Sequence, residues 1–193
     1  MQRFLGQRLL LAWLAAALLA GSALGAAAQP VTIVTFGDSG PAGSGVTPAE
    51  AYPAQLEAAL RAQGIQATVV NIATPGNTTT DAVNKVGQVP ANAKLVIIEF
   101  GSNDLRANVD KAKMDANLET ATKRLRANGS QVLLLGVRGI DYSAVAAKTG
   151  AVALTYPGGT RQYIQASGRH LTPEGHLAAV RFMMPTVLEL LKR

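Results

Sequence analysis

Four apolar, β-branched runs recur along this chain, and the first three each end in a short polar island. Val31–Phe36 (VTIVTF) runs into Gly37-Asp38-Ser39, and Ala67–Ile72 (ATVVNI) into the stretch Asn71 to Thr79. Lys94–Phe100 (KLVIIEF) runs into Gly101-Ser102-Asn103-Asp104, and Gln131–Val137 (QVLLLGV) is the fourth run. Such runs, bounded by glycine or proline, read as strands. The third is apolar enough to be covered on both faces. A polar island at the end of a buried strand has little to do for the core, so it is where chemistry is expected.

Helical stretches separate the strands. Thr47-Pro48-Ala49-Glu50 is a capping box with proline at the first helical position, opening a helix to about Gln63 that Gly64 stops. Thr79–Val89 reads as a short helix ended by Pro90, and Asp110–Asn128 as a periodic helix closed by Gly129. Tyr142–Lys148 reads as a short helix and Ala151–Thr155 as a fifth strand before the turn Tyr156-Pro157-Gly158-Gly159. Thr172-Pro173 caps a last helix running to about Lys192. This alternation predicts an α/β fold: a three-layer α/β/α sandwich around a parallel, flavodoxin-like sheet of about five strands. Ligands of such sheets bind beyond the carboxyl ends of the strands. Ser39, Gly76 and Asn103 all fall there.

Residues 1–28 read as a signal peptide. Arg3 and Arg8 form its positive region, Leu9 to Ala20 its apolar run, and Ala26-Ala27-Ala28 its cleavage pattern, so the mature chain starts at Gln29. The run is short against the roughly 20 residues of a membrane span, and no cysteine is present for lipid attachment. Residues 29–193 are one domain's worth, expected in the periplasm or outside the cell as a monomer with no stable membrane span. Arg3 and Arg8 account for two of the charges in a formal net charge of +6. What remains is a mild excess with no basic run and few aromatics, which argues against nucleic-acid binding. The lack of cysteine excludes disulfides, thiolate metal sites and a cysteine nucleophile. With only His170 and His176, a histidine-rich metal site is not expected, and no cofactor is implied. Gly40, Gly43 and Gly45 fit neither phosphate-loop spacing.

The order of the islands resembles the SGNH (GDSL-like) hydrolase family, and within it the small secreted bacterial acyl-CoA thioesterase I / lysophospholipase / arylesterase type. Thr35-Phe36-Gly37-Asp38-Ser39 is similar to the first block, with Gly40 where leucine is usual. Asn71 to Thr79 is similar to the second block, which implies Gly76 as an oxyanion glycine. Gly101-Ser102-Asn103-Asp104 is similar to the third and implies an oxyanion role for Asn103. His170-Leu171-Thr172-Pro173-Glu174-Gly175 resembles the end block, and Glu50 to Leu56 also fits the subgroup. The likeness thins between about Val137 and Ser167.

The resemblance implies hydrolysis of acyl esters or thioesters, including lysophospholipids. Ser39 is then the nucleophile and His170 the base that takes its proton and returns it to the leaving group. The backbone N–H groups of Ser39 and Gly76 and the amide of Asn103 would receive the oxyanion, and the missing Cβ of Gly76 would let backbone approach substrate. Asp38 and Asp104 read as loop-organising acceptors, and His176 as structural.

One departure stands out. The family has D-x-x-H, but Ser167 holds the aspartate's place, and no carboxylate lies between Asp141 and His170. Ser167 is therefore a candidate for orienting His170, with Asp141 in reserve. The same gap motivates an alternative: a catalytically impaired member that binds an acyl or glycan ligand. A nucleotide-binding flavodoxin-like protein is the third reading.

Overall fold

The structure, a computed structural model, describes residues 30–157 and 161–193. The expected signal peptide and part of the Tyr156–Gly159 turn lie outside the described residues. Five parallel strands form one sheet: β1 (Val31–Gly37), β2 (Ala67–Asn71), β3 (Ala93–Glu99), β4 (Gln131–Gly136) and β5 (Val152–Thr155). The helices are α1 (Tyr52–Ala62), α2 (Thr79–Lys85), α3 (Ser102–Arg106), α4 (Lys111–Ala127), α5 (Ser143–Thr149) and α6 (Pro173–Leu191).

The spatial order is β2-β1-β3-β4-β5. The chain winds outward from β1 to β2, then restarts on the other side of β1 with β3. That reversal opens a crevice at the carboxyl ends of β1 and β3, where open α/β sheets hold ligands. Ser39 follows β1 and Asn103 follows β3, so the topology itself brings the two together.

Strand alternation builds two cores. Val34, Phe36, Val96, Ile98, Val132 and Leu134 pack with the helices of one face, including Met114, Leu118, Ala121 and Leu125 of α4 at helical spacing. Ile33, Leu95, Ile97, Leu133 and Leu135 face α1 and α6, where Ala179, Val180, Met183 and Val187 form the buried stripe. At the site end of the sheet Phe36 and Phe100 meet edge to face, centroids 5.0 Å apart. Such a pair contributes about 0.5–1.5 kcal/mol beyond its area, and it fastens the ends of β1 and β3 beneath the crevice.

Two local expectations are corrected. Thr47–Glu50 does not start a helix: Thr47 N and Oγ1 both donate to Glu50 Oε2 at 2.8 Å, closing a separate turn. Ala51 is extended, and α1 starts at Tyr52 with Pro53 in its first turn, a position where proline's fixed φ favours a helix start. Gly101 to Asp104, read as an island following β3, largely forms α3, too short for any period to announce. Gly101 itself, at φ +110°, leads into it; a Cβ there would lie 2.4 Å from the Tyr142 hydroxyl.

Candidate active site

Ser39 sits two residues past β1, half-buried, in a loop held both within itself and to β3. Asp38 N donates to Glu99 O (3.2 Å), Gly40 N to Asp38 Oδ1 (3.1 Å), and Ser44 N to Ser39 O (3.1 Å). Asn71, at the end of β2, fastens this loop from the side: its Nδ2 donates to Pro41 O at 2.8 Å and its Oδ1 accepts from Thr35 Oγ1 and Ala73 N.

His170 arrives from the far end of the chain. An antiparallel bridge pairs Ile164 with Leu171, and Gln165 N donates to His170 O at 2.9 Å. Gln165 Nε2 then reaches Ser44 O (3.0 Å) and Leu171 O (2.7 Å), tying the histidine loop to the serine loop. The outcome is Ser39 Oγ at 3.1 Å from His170 Nε2, within the reach a base needs. Burial, and then the charges of Arg138, Arg106 and Arg169, hold the His170 pKa below its ordinary value. At neutral pH the ring is therefore unprotonated and able to accept.

The orienting group is not where the sequence suggested. Ser167 is exposed, and its Oγ accepts from Arg169 N at 3.4 Å rather than contacting His170. Asp141 accepts from Ser143 N and Oγ at the start of α5. Neither carboxylate nor hydroxyl meets His170 Nδ1 among the described residues.

On the oxyanion side, Asn103 is buried, and Arg106 donates to its Oδ1. That contact turns Nδ2 inward, where it donates to Asn77 O at 2.6 Å and Asp38 Oδ2 at 3.3 Å. Asn77 N donates to Thr74 O across Pro75-Gly76, with Gly76 at φ +87°. Proline then a positive-φ glycine is the signature of a type II turn. A Cβ on Gly76 would meet no described atom within 4 Å, so the turn, not crowding by neighbouring residues, accounts for the glycine. Asp104 accepts from Thr79 N and from Thr79 Oγ1 (2.6 Å), joining the Asn103 segment to the start of α2. Asp38 and Asp104 thus have the loop-organising contacts expected of them. His176 is buried, with Nδ1 accepting from Tyr52 N at 3.3 Å, and burial pushes its pKa down to about 4.

Sequence reasoning overlooked several residues. Glu99 is buried beneath Gly40, so close that a Cβ at position 40 would fall 2.0 Å from Glu99 Oε1. The leucine usual there would displace this carboxyl. Burial, reinforced by the charge of Asp38, pushes the Glu99 pKa up to about 8. Burial likewise raises Asp38 to about 6, against the Gly40 N–H and Arg106. A cavity of about 240 Å³ holds Ser39 and His170 together with Glu99, Arg106, Arg138 and Arg169. Arg138 and Gly139 occupy the centre of a turn closed by Ile140 N to Val137 O (3.0 Å), both at positive φ. Arg138 follows β4 as Ser39 follows β1, a positional signal that would have found it. Among the described residues no group of three His, Asp or Glu side chains is arranged to hold a metal.

The model of the GDSL-like lipase/acylhydrolase family matches residues 35–178. The chain is 33% identical to Esterase TesA of Pseudomonas aeruginosa, over 86% of this chain and 91% of that one. A crystal structure of TesA superposes with a TM-score of 0.75 at 27% identity, covering 82% of this chain and 99% of the other. The crystal structure of AlinE4, an SGNH-hydrolase family esterase, gives 0.67 at 30% identity, covering 83% and 96%.

Proposed function

This chain belongs to the GDSL-like lipase/acylhydrolase family and is a carboxylic ester hydrolase of that type; on that premise we propose that Ser39 is its nucleophile and His170 its general base. Ser39 Oγ attacks the acyl carbon while its proton passes to His170 Nε2. The carbonyl oxygen becomes an oxyanion, received by the N–H groups of Ser39 and Gly76 and by Asn103 Nδ2. Collapse expels the alcohol or thiol, which takes the proton from His170. Water, activated by the same ring, then releases the acid. Val137, Tyr156, Ile164 and Leu171 give the cavity an apolar wall suited to an acyl group. The observation that carries this reading is the 3.1 Å approach of Ser39 Oγ to His170 Nε2.

The substrates we propose are small-molecule acyl esters or thioesters, lysophospholipids among them. Export through residues 1–28, with cleavage near Ala28, would deliver a monomer to the periplasm or medium. Among the described residues no helix is long and apolar enough to cross a membrane. N-terminal sequencing of the exported protein should begin close to Gln29.

One observation favours a second reading. With Ser167 in the aspartate's place and turned to Arg169 N, a catalytically impaired member binding an acyl or glycan ligand is the competing account. A panel of p-nitrophenyl acyl esters of increasing chain length separates the two. The esterase turns over at least one chain length and Ser39→Ala none; no turnover above Ser39→Ala at any length would favour the binding protein.

A further inference from the structure

Three guanidinium groups line the cavity beside Ser39 and His170, each from a different segment: Arg106 from the end of α3, Arg138 from the turn after β4, and Arg169 from the residue before His170. The ion pairs observed among the described residues involve none of them. Of the two buried carboxyls of the cavity, Glu99 is pushed up to about 8 and holds its proton at neutral pH, which leaves Asp38 as the one carboxylate facing the three cations. Three guanidinium groups against one carboxylate leave the mouth net cationic. Arg138 is also kept at φ +55°, where glycine, asparagine or aspartate would sit more easily. Such a residue in a cleft points to function more than to folding. Its guanidinium is fixed, not free: it donates to Arg169 O at 2.6 Å, bridging the turn after β4 and the histidine loop.

We propose that Arg106, Arg138 and Arg169 form an anion subsite that takes a carboxylate or phosphate carried by the substrate close to its scissile ester. The proposal rests on the Ser39 esterase reading and deepens it. Arginine forks match both groups, which accept paired N–H bonds. The subsite also answers an electrostatic difficulty. Attack by Ser39 converts His170 to an imidazolium beside three cations, with no carboxylate behind it. A bound anion lowers the cost of that charge as it appears, so its binding favours the transition state over the ground state. The anion exchanges no proton; the Ser39 proton still travels through His170 to the leaving group. Anionic esters are then preferred because they bring the counter-charge that Ser167 does not provide.

The test compares kcat/KM for p-nitrophenyl hydrogen glutarate, its neutral methyl ester, and a p-nitrophenyl butyrate carrying a terminal phosphate. We expect the charged esters to be favoured at least about tenfold, a difference of about 1.4 kcal/mol. The preference should shrink as salt rises from about 0.05 to about 0.5 M, as screening requires. The charged-to-neutral ratio should collapse in Arg138→Gln and Arg169→Gln and partly recover in Arg138→Lys. Which charged ester gains more tells carboxylate from phosphate. A ratio near one, insensitive to salt and to both glutamine variants, overturns the subsite and leaves the esterase standing. Should no ester be turned over, the esterase reading fails, and titration of monomethyl glutarate and butyl phosphate into Ser39→Ala decides the subsite alone. Saturable binding lost in Arg138→Gln upholds it, and no binding overturns it.

Discussion

Asn103 Nδ2 donates to Asn77 O at 2.6 Å and to Asp38 Oδ2 at 3.3 Å, so both its protons are committed before a substrate arrives. An oxyanion would have to replace one of these acceptors. Asn103→Ala should lower kcat by about 10²–10³ while a fluorophosphonate still labels Ser39. Steady-state kinetics and labelling on one preparation check both halves.

Partial burial, and then three neighbouring cations, depress the His170 pKa. Removing a positive charge favours the protonated ring, so its pKa must rise. Arg138→Gln and Arg169→Gln should each move the acid limb of kcat/KM, measured with a neutral ester, to higher pH. An unmoved limb in both variants would mean that another group controls it.

Ser167 stands where the family carries its aspartate. Ser167→Asp should bring a carboxylate to His170 Nδ1–H, fixing the tautomer and stabilising the imidazolium. We expect kcat to rise at least about tenfold, which needs about 1.4 kcal/mol, and the His170 limb to move up in pH. A folded variant with neither change would show that the 167 side chain does not reach the ring.

Glu99 has its pKa raised to about 8 by burial and then by Asp38, from an ordinary 4.5. Between those values the folded chain holds a proton that the unfolded chain has released, so stability falls as pH rises through that window. Glu99→Gln removes this titration. Thermal melts at several pH values between about 5 and 8 should show a smaller decline in Tm for the variant than for the parent.

How much of this was legible beforehand depended on the range of the signal. β1 and β3 were readable because their apolar runs are continuous and end at glycine. The last helix was readable because Thr172 caps it, its Oγ1 accepting from Gly175 N. The Thr47–Glu50 motif misled because the same side-chain bonds can close a free turn. The meeting of Ser39 and His170 was anticipated from the order of the islands. Gln165 was not, because its value lies in touching Ser44, 121 residues away. Glu99 was hidden by its place in an apolar strand, and its burial shows only when Gly40 is laid over it.

The most direct measurement is intact-protein mass spectrometry after treatment with a fluorophosphonate, followed by peptide mapping. The account predicts a single adduct on Ser39, absent in Ser39→Ala and formed more slowly in His170→Ala. No adduct on the folded protein, or one on any other serine, would contradict it.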